Sequence, residues 1–130
     1  MSFWVIRWEV ILRRIIKVIA YFKQIAAASP IKVKLINYGE TNEGRPLLIA
    51  IISSEENITR LEEIRNKNLK LADANGANVD LNLQPAVVWL SYNVHGNEAS
   101  STETAMKTLY ALCSGANVDA NGWLKIRWWL

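Results

Sequence analysis

The spacing of apolar positions changes several times along the chain. In residues 4–28, Trp4, Trp8, Ile11, Ile15, Ile19, Phe22 and Ala26 recur at steps of three and four. That is the period of one helix face, and Ser29-Pro30 closes it. The next stretch, IKVKLINYG, alternates, with Ile31, Val33 and Leu35 on one side and lysines on the other. Alternation predicts a half-exposed strand. YGETNEGRP then carries two glycines and a proline, which is turn chemistry. LLIAIIS, at 47–53, is a continuous apolar run and predicts a strand covered on both faces.

Helical spacing returns in SEENITRLEEIRNKNLKLAD with Ile58, Leu61, Ile64 and Leu69, and Ser53 with Glu56 offers a capping box at its start. Residues 73–85 read as a loop, and AVVWLSY, at 86–92, as a second buried strand. From about Ser100 a further helix sets Thr102, Met106, Leu109 and Cys113 on one face, with Ser100 and Glu103 as its capping box. Buried strands flanking a helix predict an α/β fold with a mixed central sheet and flanking helices. The first two strands are joined by a turn short enough for an antiparallel hairpin.

Composition keeps this picture and trims the functions open to it. A chain of 130 residues, 51% hydrophobic and 21% charged, is one globular domain or part of one. The net charge of +3 is mild and its basic residues are scattered among acids, so there is no nucleic-acid signature. The single cysteine, Cys113, excludes an internal disulfide and reads as a buried thiol. The longest apolar run, 47–52, is far short of the roughly 20 residues that span a bilayer. Arg7, Glu9, Arg13 and Arg14 interrupt the N-terminal region, which therefore fails as a signal peptide despite AAAS at 26–29. The Trp-rich basic first helix could lie on a membrane surface or in a partner's groove. A stripe facing the core is the better reading, because amphipathic helices ordinarily pack.

Several short motifs carry little. GETNEGRP has the glycine spacing of a phosphate loop, but Arg45 and Pro46 stand where Lys and Ser or Thr are required. DANGANVD has its glycine at the wrong place for a calcium loop and lacks the closing glutamate. GANVD recurs at 76–80 and 115–119 as ordinary turn composition. The stretch SYNVHGNEASSTE is more informative. It holds the only histidine, His95, with Glu98 three places on. A strand ending at Asn93 or Val94 sets His95 beyond the carboxyl edge of a sheet, where α/β proteins bind ligands. Spacing leaves two readings open: half of a zinc site, or a loop histidine beside an anion favoured by a helix start.

Taken together, YGETNEGRPLLIAIIS and, about forty residues later, AVVWLSYNVHGNEASSTE resemble the zinc carboxypeptidase family, the carboxypeptidase A-like metallopeptidases. The resemblance covers roughly 18–112. It implies that His95 and Glu98 are the first two zinc ligands. It also implies a zinc-activated water that hydrolyses C-terminal peptide bonds, with peptide or protein C-termini as substrates. Asn97 stands where some members carry an arginine near the scissile carbonyl, so it is a candidate substrate-binding residue with weakened electrostatic help. Arg45 is expected to anchor its turn. Family members use a further histidine, a glutamate base and a grip for the terminal carboxylate, all downstream. No histidine follows His95 here, and Glu103 and Tyr110 lie on a helix leading away from the motif.

The ends, 1–17 and 113–130, differ in character, and five of the six tryptophans lie there. The expectation is a single partial domain over 1–130, a truncated or frame-disrupted portion of a carboxypeptidase that is inactive alone and self-associates through open strand edges. A zinc deacylase of the aspartoacylase and succinylglutamate desuccinylase kind also uses HGNE, but generally lacks the EGRP turn. A non-catalytic binding fragment with a vestigial metal pair is the third reading. Members are commonly secreted, yet no export signal is visible, so localisation stays open.

Overall fold

The computed structural model describes residues 3–73, 80, 82 and 84–129, with side chains described at all of these except 3–14, 99 and 126–129. The first helix, α1 (Phe3–Ala28), runs the length its period predicted. Ile15, Val18, Ile19, Phe22, Ile25 and Ala26 form its half-buried stripe, while Ile16 faces solvent. Trp4, Trp8 and Ile11 of the predicted stripe lie outside the described side chains. Among the described residues no helix is long and apolar enough to cross a membrane.

β1 (Val33–Glu40) and β2 (Pro46–Ile52) form the expected antiparallel hairpin, from Val33 opposite Ile52 to Glu40 opposite Pro46. The register slips between Asn37 and Gly39, so Tyr38 is unpaired. The turn follows from its sequence. Thr41 O accepts from Gly44 N at 2.9 Å, and Thr41 Oγ1 accepts from the backbone of Glu43 and Arg45. Gly44 has φ +71, a left-handed conformation that a side chain would strain. Pro46 opens β2, where a strand tolerates the missing donor.

Side chains alternate across β2. Ile52 and Ala50 meet Val33, Leu109, Leu112, Ala120 and Leu124 with the α1 stripe, whereas Ile51 and Ile49 meet Leu61, Ile64 and Ile58. The hairpin therefore has apolar layers on both faces. The run at 47–53 was expected to be buried along its length. Only its end is, at Ile51, Ile52 and Ser53, because the remainder of β2 has no second neighbouring strand among the described residues.

The helix expected from Ser53 is two, α2 (Glu55–Thr59) and α3 (Leu61–Ala72), joined at Arg60. Thr59 Oγ1 donates back to the carbonyls of Glu55 and Glu56, a bond that bends helices. The cap is Ser54, not Ser53: Ser54 Oγ accepts from Asn57 N at 3.3 Å. Ser53 is drawn inward, donating to Leu124 O at 3.0 Å. Most of the loop expected at 73–85 lies outside the described residues.

The second buried strand is corrected most. β3 is three residues, Ala86–Val88, and its first two are exposed. Trp89 is 63% exposed. The next helix, α4 (Ala99–Cys113), buries Ala105, Leu109 and Leu112, with Thr102, Met106 and Cys113 half-buried beside them. It begins before the predicted box: Glu98 is its N-cap position, and Ser100 lies within the first turn.

The last two elements had no counterpart in the predicted order. α5 (Val118–Ile126) starts where Asn117 Oδ1 accepts from Ala120 N, an N-cap bond. β4 (Arg127–Trp129) lies between β2 and β3, so the sheet order is β1-β2-β4-β3. β4 is parallel to β3 over three pairs and antiparallel to β2 at Ile52 opposite Trp129 alone. The sheet is mixed, as expected. A buried polar knot fixes this arrangement: Asn57 Nδ2 donates to Ser53 Oγ, Leu124 O and Lys125 O, and Ser54 N also donates to Leu124 O. These bonds satisfy the last carbonyls of α5, which no intrahelical donor reaches.

Candidate metal centre

The approach to His95 is built by polar side chains that tie one strand of chain to a helix. Tyr92 OH donates to Thr108 Oγ1 at 3.0 Å, and Asn93 Nδ2 donates to Thr102 Oγ1 at 2.8 Å. The two threonines lie on α4, so the chain entering the motif is held at two points along that helix. Asn93 has φ 57, a left-handed conformation that asparagine tolerates better than most residues. The sharp bend before the motif is therefore made at Asn93. Gly96, between the two side chains, does not have a positive φ.

Beyond the bend, Glu98 N donates to His95 O at 3.1 Å, and Glu98 O accepts from Ser101 N at 3.1 Å as α4 begins. This turn brings the two functional side chains together, with His95 Nδ1 and Glu98 Oε1 3.0 Å apart. Their side chains are 73% and 48% exposed. Zinc bonds of ~2.0–2.1 Å in a tetrahedron place donor atoms about 3.3 Å apart. The pair fits two positions of such a set, with the hydrogen bond giving way to the metal. Zinc in a catalytic site takes three protein ligands, and no cluster of three or more His, Cys, Asp and Glu suited to a metal occurs among the described residues. Two candidate donors thus stand together on one solvent-exposed turn, with no third beside them among the described residues.

Asn97 sits on the same turn, exposed, between the two donors. Arg45 lies on the hairpin turn, where it pairs with Glu43 and gives its backbone N–H to Thr41. Glu103 and Tyr110 are exposed on α4 and join no cluster with the pair. Cys113 is no candidate nucleophile: burial pushes its thiol up to about 11, with Lys32 working against the rise. The residues that sequence reasoning passed over are Tyr92, Asn93, Thr102 and Thr108. Asn93 could have been found as a left-handed residue before a turn, but its partner on α4 could not.

Compared with known proteins, the chain matches the family model described as zinc carboxypeptidase over residues 18–130. No curated protein and no solved structure matches it.

Proposed function

Since the chain belongs to the zinc carboxypeptidase family, we propose that it carries the opening half of that family's metal site, with His95 and Glu98 as two of the zinc ligands. The observation that supports this reading is the 3.0 Å approach of Nδ1 and Oε1 on a turn clamped to α4. When bound, zinc would supply a water acidified toward neutrality and a polarised carbonyl. The substrate class is the C-terminal peptide bond of peptides or proteins. Asn97, exposed on the same turn, is the candidate substrate-binding side chain in this reading.

No third donor or general base stands beside the pair among the described residues, and the chain contains no second histidine. Without them the chain does not hydrolyse peptides. The turn at 95–98 would still orient its two donors for a metal whose remaining ligands arrive from elsewhere.

Calorimetric titration with zinc tests the assignment. Weak binding, lost in His95→Ala and in Glu98→Gln, is expected. Tight stoichiometric binding would contradict a two-ligand site. Retention of the weak binding in both variants would remove His95 and Glu98 from it. Release of terminal residues from a peptide by this chain would overturn the view that it is inactive alone.

A further inference from the structure

The turn that carries the candidate donors is not positioned by packing. Every residue from Val94 to Glu98 is exposed, and a Cβ added at Gly96 would meet nothing within 4 Å. Within the turn, the only bonds among the described residues are those between His95 and Glu98 themselves. Its geometry is therefore set at its two ends. One end is Glu98, the N-cap position of α4, whose carbonyl accepts from Ser101 N. The other is Asn93, with φ 57, whose Nδ2 donates to Thr102 Oγ1 at 2.8 Å. Thr102 stands in the opening turns of α4, so this bond returns the entry of the turn to the helix that its exit begins. His95 follows Asn93 by two residues, and at most about 7 Å of chain separates it from the anchor. Tyr92 OH also bonds α4, at Thr108 Oγ1. Thr108 lies about 9 Å further along the helix than Thr102, so that bond fixes the approaching chain at a distance from the donors.

We propose that Thr102 is a positioning residue of the metal pair, acting through Asn93. The inference rests on the reading of His95 and Glu98 as zinc ligands and adds what holds them ready. Thr102 is not itself a ligand. Its hydroxyl accepts the Asn93 amide, and Asn93 supplies the left-handed bend, which asparagine tolerates. Together they hold His95 beside Glu98 before a metal arrives. The neighbouring Thr104 behaves as helix threonines commonly do, donating back to Ser100 O at 2.9 Å. Thr102 instead offers its oxygen to chain outside the helix. Without that bond, 93–98 samples other arrangements and the two donors meet for only part of the time. A metal that needs both then binds with an affinity reduced by that fraction.

The test is a zinc titration of the full chain followed by NMR. A metal-free readout runs alongside: the nuclear Overhauser contact between the His95 ring and the Glu98 side chain. Thr102→Val keeps the shape of the side chain and removes the acceptor. It is expected to weaken zinc binding about threefold or more, within the range one hydrogen bond contributes, and to weaken the metal-free contact. Thr102→Ser, which keeps the hydroxyl, should recover both. Asn93→Gly retains the left-handed bend and loses the bond, so it should match Thr102→Val. The double variant should be no weaker than either single one, because both remove the same interaction. Thr108→Val is expected to leave both readouts unchanged. Unchanged readouts in Thr102→Val would overturn the proposal. So would a serine variant as weak as the valine one, or an equal loss in Thr108→Val. Zinc binding that survives His95→Ala would remove the metal reading instead, and the metal-free contact would still decide whether Thr102 positions the pair.

Discussion

LLIAII and AVVWL are nearly interchangeable as strings, yet they have different fates. The first becomes β2, paired along its length with β1, and its Ile52 is 6% exposed. The second becomes a three-residue strand followed by chain that has no strand partner among the described residues, with Trp89 63% exposed. The difference lies in what surrounds them. β2 has a hairpin partner a few residues away, whose turn is closed by Thr41 and Gly44. β3 depends on β4, which arrives about forty residues later and covers only Ala86–Val88. An apolar sequence specifies willingness to be buried. Its neighbours decide how much burial occurs.

This contrast can be broken at several points. Leu109→Ala, in the packed layer beneath β2, is expected to cost about 2–5 kcal/mol in denaturant unfolding, since Leu109 is 1% exposed and meets Val33, Ile52 and Leu124. Trp89→Ala should cost under about 1 kcal/mol, because so much of the ring faces water. Equal losses would mean that 89–93 is as embedded as β2.

Asn57→Ala probes the knot that holds α5 and β4 in place. Losing its amide removes donors from Ser53 Oγ, Leu124 O and Lys125 O. About 1–3 kcal/mol of destabilisation is expected, together with faster exchange at the β2–β4 junction. Unchanged exchange there would show that β4 is held by its pairing with β3 alone.

Cys113 reports on the same packed layer by chemistry rather than stability. With its thiol raised to about 11 by burial, alkylation near pH 8 should run at least tenfold slower than that of an exposed cysteine of about 8.5. A rate like that of a free thiol would place Cys113 outside the core.

The smallest effect belongs to α3, whose outer face is solvated. Hydrogen bonds from Arg60 and then Lys67 hold the Glu63 carboxyl down to about 2. A depressed carboxyl stabilises the fold above its ordinary value of 4.5, and that contribution is lost as pH falls toward 2. Glu63→Gln should therefore flatten the acid limb of the stability curve in this window and leave stability near pH 7 slightly lower. A variant whose acid limb matches the original would show that the three side chains do not act together in solution.

Local physics was legible in the sequence. The α1 stripe, the hairpin turn, the two-sided β2 and the helical run of α4 follow from spacing, glycine and proline placement, and interactions within a few residues. The His95–Glu98 pair was legible for the same reason, since three residues and one turn separate its members. The start of α5 is also signalled locally, by Asn117 ahead of Val118. What only the tertiary structure decided are the choices made by distant partners. Ser53 would cap a helix as readily as Ser54 does, but Leu124 O, 71 residues away, draws it into the core. Asn93 is bent and clamped by a threonine on the following helix. β3 pairs with β4, some forty residues further along the chain. Such choices are set by backbone groups that need a partner once buried, and an amino-acid string does not say which partner will be near.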